Sequence, residues 1–365
     1  MILEFLYDTF TTISSTTLTK VDLGAIGAAW VTFGSFRIPS SWGWRLPSVL
    51  QAVPAVMQVI LIMFLPESPR WLVYKDRAEE ALAILTKYHG NGNPEDELVQ
   101  AEYFEIVETL RLEKEGKSQG LRLFLATKGN RRRLIILLSL GMFGQWSGNG
   151  LVSYYLAKIL KSIGITSQSE QNMINGVVTI VNYATGIMCA FAMKKFKRRH
   201  TFLFGGILMW LAFSGLTAAI AVYNEKQFVS SGRAALGLIF IFNTCFNICL
   251  NPSLYLYPSE VLPYRLRAMG MSIVVFANKT ALMFNQFVNP IGMDSLGWKY
   301  YLVYVVWILV EIVFMYFFYP ETHGYSLEGV AEIFDGLSLD VLAHEAVKRT
   351  EKDEITIEHR ESKDL

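Results

Sequence analysis

The sequence predicts an all-α protein embedded in a membrane, with about eight transmembrane helices. Three observations lead there. First, 52% of its 365 residues are hydrophobic and only 18% are charged, with a mean hydropathy of +0.32; a soluble domain holds about 45–50% apolar and about 25% charged residues. Second, the apolar residues gather into runs of about 20, the length that crosses a hydrocarbon core of ~30 Å as a helix. Third, the connections between runs differ in lysine and arginine content, as they do when alternate loops face the cytoplasm.

In order, the runs lie at 22–36, 46–65, 133–160, 171–193, 201–223, 233–256, 266–290 and 299–319. The first is short, and Arg37 closes it. Between the second and third lies a long polar stretch, 74–130. It reads as a helix with apolar residues at helical spacing through Ala78–Leu85, a break at Gly90–Pro94, and a second helix from Glu95 to Lys114. Basic residues concentrate in 70–133, in the connection Lys194-Lys195-Phe196-Lys197-Arg198-Arg199-His200, and at Arg265 and Arg267. If the spans alternate, these fall on one side with the charged C-terminal tail, and that side is cytoplasmic. The tail after Asp340 is charged and lacks aromatics, a composition that does not build a core.

Several function classes find no footing. The three cysteines, Cys189, Cys245 and Cys249, sit inside apolar runs and form neither a metal-ligand spacing nor a disulfide framework. No phosphate loop, catalytic triad, metal cluster or nucleotide fingerprint occurs, so neither an enzyme nor a cofactor is expected. A net charge of +1 gives no bulk attraction to nucleic acid. Met1–Lys20 lacks the pattern of a signal peptide. Two runs end in similar words, Phe64-Leu65-Pro66-Glu67-Ser68 and Phe318-Tyr319-Pro320-Glu321-Thr322. Matched exits imply a duplicated unit. Six runs lie between the two marks but only two precede the first, so about four helices of a first half are expected to be absent.

Four stretches carry a resemblance. They are Pro66-Glu67-Ser68-Pro69-Arg70-Trp71-Leu72; Gln145-Trp146-Ser147-Gly148-Asn149 with Tyr154-Tyr155; Tyr257-Pro258-Ser259-Glu260 with Arg265 and Arg267; and Pro320-Glu321-Thr322-His323-Gly324 with Ser326-Leu327-Glu328. In order and spacing the chain resembles the sugar porters of the major facilitator superfamily, in particular the fungal lactose permease and hexose transporter branch. The resemblance implies an incomplete major facilitator fold whose spans look like helices 5–12 of 12. It implies an atypical segment at 1–21, two helices closing the first half at 22–65, a linker with an intracellular helical bundle at 66–132, a six-helix half at 133–320, and a cytoplasmic tail at 321–365.

Within the spans, polar side chains are the candidates for a site, because burying them in a bilayer is costly unless they face a cavity or a partner. Gln145 and Asn149 are spaced i, i+4 and would share a helix face. An amide offers a donor and an acceptor to hydroxyls; a hydrogen bond between helices is the competing role. The resemblance implies sugar contacts for Gln145, Asn149, Asn182, Tyr255 and Asn278. Tyr255 could stack on a sugar ring or belong to an interfacial belt. The chain departs from the family pattern in having Gly144 where a first glutamine is usual and Gly150 where an asparagine is usual. Lys279 and Glu311 lie deep in their spans and could pair, face water or stabilise packing; Glu311 could also couple protons. Asn278-Lys279-Thr280 fits a glycosylation acceptor but lies inside a span.

Glu67, Arg70, Arg198, Glu260, Arg265 and Glu321 sit at helix ends on the basic side. There, opposite charges can latch a carrier in one conformation or form screened surface pairs. The resemblance implies a conformational lock. In its basic loop the family has an acidic residue and a glycine where this chain has Lys194 and Lys197, and losing the glycine is expected to stiffen the turn. The expected function is transport of a hexose or disaccharide, with proton symport, by alternating access in the fungal plasma membrane. The alternative is a transport-incompetent truncated copy, a gene-model fragment or a sugar-sensing relative. The expected partners are a sugar, protons and the lipid bilayer.

Overall fold

The computed structural model describes residues 23–336, apart from 91, 117–119, 193–194 and 326. The expected atypical segment at 1–21 and the tail beyond 336 lie outside the described residues. No strand occurs among the described residues. They pack into two compact units, Gly34–Leu123 and the described parts of Met1–Phe33 and Phe124–Leu365.

Each apolar run is helical, and two of them are broken into shorter helices. The first is α1 (Leu23–Ser35) and the second α2 (Trp42–Ile62). The third begins as α7 (Lys128–Trp146) and continues as two short helices, α8 (Asn149–Tyr154) and α9 (Leu156–Ser162). The others are α10 (Gln168–Ala192), α11 (Arg198–Lys226), α12 (Val229–Cys249) with α13 (Ser253–Val261), α14 (Tyr264–Leu296) and α15 (Tyr300–Phe318). Five stretches, Trp42–Ile62, Lys128–Tyr154, Arg198–Lys226, Val229–Val261 and Leu266–Phe318, are long and apolar enough to cross a membrane. The last holds two helices, α14 and α15.

The smaller unit gathers α3 (Pro69–Tyr74), α4 (Ala78–Tyr88) and α5 (Glu97–Gly116) around Leu72, Ala81, Leu85, Val99 and Leu110, all buried. Helices α4 and α5 follow the pattern read from 74–130, and α3 was not read from it. Pro69 opens α3, where its missing N–H costs nothing. Arg77 and Glu80 pair across one turn at 2.6 Å, and that contact holds the Glu80 carboxyl below its usual range. At the far end of α4, His89 Nδ1 meets Glu102 Oε2 on α5 at 2.5 Å. No residue of α2 is buried.

In the larger unit, a four-residue helix α6 (Leu123–Ala126) leads into α7, which Thr127 caps by accepting the N–H of Asn130. The core centres on Phe213, Phe242, Tyr301 and Tyr304, whose rings meet edge-on or tilted. A second aromatic group, Phe202, Tyr257 and Tyr319, closes the basic end. Small residues let helices approach closely: a Cβ at Gly141 on α7 would come within 2.7 Å of the Val274 carbonyl on α14, and one at Gly176 on α10 within 3.2 Å of Trp30 on α1. The last described helix is α16 (Leu327–Asp335).

Candidate substrate site and charge cluster

The expectation that Gln145 and Asn149 share one helix face is corrected. Helix α7 stops at Trp146, and Gly148 adopts φ +92°, a left-handed conformation that glycine takes without penalty. Gln145 therefore closes one helix and Asn149 opens the next. Asn149 Oδ1 accepts a hydrogen bond from Ser153 at 2.9 Å.

Gln145 and Asn278 are brought together. Gln145 Nε2 donates to Asn278 Oδ1 at 3.3 Å, and Asn278 Nδ2 donates to the Gly141 carbonyl at 3.1 Å. Asn285, one turn-pair along α14, donates Nδ2 to the backbone carbonyl of Gln145 at 2.9 Å. Gln145 Oε1 is buried with no hydrogen-bond partner among the described residues. The two departures from the expected motif lie against this same cluster. A Cβ at Gly144 would come within 2.9 Å of Asn278 Nδ2, and one at Gly150 within 2.7 Å of Asn285 Nδ2. Amides of α14 occupy the space next to both glycines.

Asn182 belongs to a second cluster. Its Oδ1 accepts from Asn247 Nδ2 at 3.1 Å; that amide also reaches Thr185 Oγ1 at 3.1 Å, and Asn251 Nδ2 donates to Asn247 Oδ1 at 3.1 Å. A third group joins Asn289 Oδ1 to the hydroxyls of Tyr300 and Tyr304 at 2.9 and 2.6 Å, while Tyr155 donates to Gln286 Oε1 at 3.1 Å. Tyr255 is exposed and joins none of these clusters. Asn247, Asn251, Asn285 and Asn289 were not singled out by the sequence reading. Their spacing carried the signal: Asn278, Asn285 and Asn289 follow i, i+7, i+11, and Asn247 and Asn251 follow i, i+4.

Of the six charges at helix ends, three meet. Arg198 is buried and donates through Nε and Nη2 to Glu260 Oε1 at 3.0 and 2.9 Å. Thr322 donates to Glu260 Oε2 at 2.5 Å. Glu321 accepts the backbone N–H groups of Arg198 and Arg199 at 2.8 and 3.1 Å, where its charge faces the positive end of α11. The cluster ties α11, α13 and the segment after α15. Glu67 and Arg70 belong to the smaller unit and are exposed. Arg265 begins α14, and its side chain lies outside the described residues, as does Lys194. Lys197 has φ −63° and ψ 131°, an extended backbone that any residue adopts without strain.

A further ion pair was not anticipated. Arg133 on α7, 1% exposed, donates Nη1 and Nη2 to Asp335 on α16 at 3.1 and 2.9 Å, and Nε to the Val261 carbonyl at 3.2 Å. Its guanidinium also lies 4.7 Å from the Phe334 ring. Lys279 and Glu311 do not pair: Lys279 is exposed, whereas Glu311 is fully buried with neither carboxylate oxygen partnered among the described residues.

Comparison with known proteins converges on one family. Residues 11–334 match the model of the sugar (and other) transporter family. The chain is 31% identical over 319 residues to the MFS glucose transporter mfs1 of Aspergillus flavus, covering 82% of this chain and 58% of that protein. It is 30% identical over 315 residues to the sugar transporter STL1 of Saccharomyces cerevisiae, covering 86% and 54%. The chain thus spans between half and three-fifths of the length of these two relatives. Among solved structures, the proton:xylose symporter XylE bound to 6-bromo-6-deoxy-D-glucose superposes with a TM-score of 0.68 at 24% identity, covering 89% of this chain and 67% of that one. The inward-open xylose transporter XylE of E. coli gives 0.69 at 23% identity, covering 88% and 64%. The fold is that of the major facilitator superfamily, the matched proteins are transporters rather than enzymes, and the chain belongs to the family of sugar (and other) transporters.

Proposed function

We propose that this chain carries the sugar-binding site of an alternating-access transporter that moves a hexose or a disaccharide with protons across the plasma membrane. The observation that carries the reading is the amide cluster of Gln145, Asn278 and Asn285, in which Gln145 Oε1 is buried and unpartnered. A buried acceptor without a donor is costly, and a sugar hydroxyl supplies the donor. Asn149, Asn182 and Tyr255 complete the proposed set of contacts. The charge cluster supports the orientation. Contact of Arg198 with Glu260 and of Arg133 with Asp335 brings the basic connections to one end of the larger unit, the end assigned to the cytoplasm with the C-terminal tail. Arg198, Glu260 and Glu321, with Glu67, Arg70 and Arg265, form the proposed conformational lock. The proposed functional division is the one read from sequence, with 66–132 as linker and 133–320 as the six-helix half.

The test is uptake of radiolabelled glucose, galactose, lactose and xylose in yeast stripped of its own sugar transporters, with surface expression verified. Accumulation that Gln145→Ala lowers at subsaturating sugar and a protonophore collapses is the expected result. Surface-expressed protein that moves none of the four sugars overturns the reading for this chain.

A further inference from the structure

Lys279 stands at the middle of α14, the longest helix. It is the sixteenth of 33 residues, so ~22 Å of helix lies on one side of it and ~26 Å on the other. With the helix centred on a core ~30 Å thick, neither interface is close enough for a lysine stem to bring its ammonium fully into the headgroups. Yet Lys279 is exposed and makes no ion pair among the described residues. Charged side chains at such depth are rare and face a water-filled cavity or a polar partner.

The surface of α14 says which. At ~100° per residue, Asn285, Asn278, Asn289, Gln286, Lys279 and Ser272 fall within one arc of ~140°. Five of the seven large exposed apolar side chains, Met283, Phe276, Phe287, Ile291 and Phe284, fall within an adjoining arc of ~100°, and Val275 and Leu296 fall among the polar residues. Lys279 lies on the flank of the polar arc, ~20° from Gln286 and ~100° from Asn278, whose amide holds Gln145. On the same flank, Gln286 accepts the Tyr155 hydroxyl at 3.1 Å. The amides are neutral and suit hydroxyl groups. The ammonium is a compact donor of charge-assisted hydrogen bonds, and it suits an anion.

We infer that Lys279 gives this site a preference for an anionic polyol, a sugar bearing a carboxylate. This rests on the sugar-binding reading above and sharpens its substrate class. The test measures binding rather than transport. Purified full chain in detergent is titrated calorimetrically with glucose and with glucuronate, for the wild type, Lys279→Gln and Lys279→Arg, each first shown to unfold cooperatively. Wild type is expected to bind glucuronate at least about tenfold more tightly than glucose, with Lys279→Gln levelling the two and Lys279→Arg keeping the difference. Glucose binding equal to or tighter than glucuronate in wild type, or a preference that survives Lys279→Gln, overturns this inference and leaves the sugar site standing. Folded protein that binds neither overturns both.

Discussion

Single side chains set the chemistry of the two sites in opposite ways. Gln145 keeps one amide oxygen without a donor, whereas Arg198 has its charge answered by Glu260 and its backbone N–H by Glu321. Truncating the first should cost binding and spare the fold. Gln145→Ala is expected to weaken sugar affinity about threefold to tenfold, the worth of a neutral hydrogen bond or two, with the unfolding temperature nearly unchanged; titration and thermal unfolding check the two halves. Removing one charge from the second should do the reverse. Glu260→Gln leaves a buried guanidinium short of its counter-charge, and a loss of about 3–5 kcal/mol in stability is expected, read as a lower unfolding temperature of the purified protein. The same contrast explains what was legible in the residues. Gln145 stood out as an amide inside an apolar run, and Asn182 and Asn278 through the family resemblance. Asn285 and Asn289 did not, because their importance appears only in the helical phase they share with Asn278.

At the scale of the element, apolar run length identified the long helices α2, α7, α10, α11, α12, α14 and α15, because the bilayer imposes that length on any helix that crosses it. The break at Ser147–Gly148 escaped notice because a glycine within an apolar run looks no different from one packed inside a helix. Structure gives it a different meaning. Gly148 holds φ +92°, and an added Cβ would meet the Phe213 ring at 2.7 Å. Gly148→Ala should therefore destabilise the protein by about 2 kcal/mol or more, combining left-handed strain with displacement of a core ring; thermal unfolding checks it. The conservative comparison is Gly237→Ala on α12, where nothing lies within 4 Å of the added methyl. It should be neutral or slightly stabilising, since alanine favours helix by ~1 kcal/mol over glycine.

For the molecule as a whole, orientation is the most accessible prediction. Cys189, Cys245 and Cys249 are all buried, so an impermeant thiol reagent should find little background on the folded chain. Gln227→Cys, between α11 and α12, should label on intact cells; Lys195→Cys, between α10 and α11, should label only after permeabilisation. Both positions are exposed. The opposite pattern would invert the topology read from the basic connections. Charge bias is the signal in the sequence from which that topology is predicted. The pairing of Arg133 with Asp335 did not announce itself, because 202 positions separate the partners and only folding makes them neighbours.

That separation has a consequence for biosynthesis. A ribosome adding ~5–20 residues per second delivers Asp335 about 10–40 s after Arg133. Throughout that interval, α7 carries a cation whose eventual carboxylate has not been made. Nascent α7 must hold its arginine in water, on a chaperone or at the lipid surface until α16 emerges.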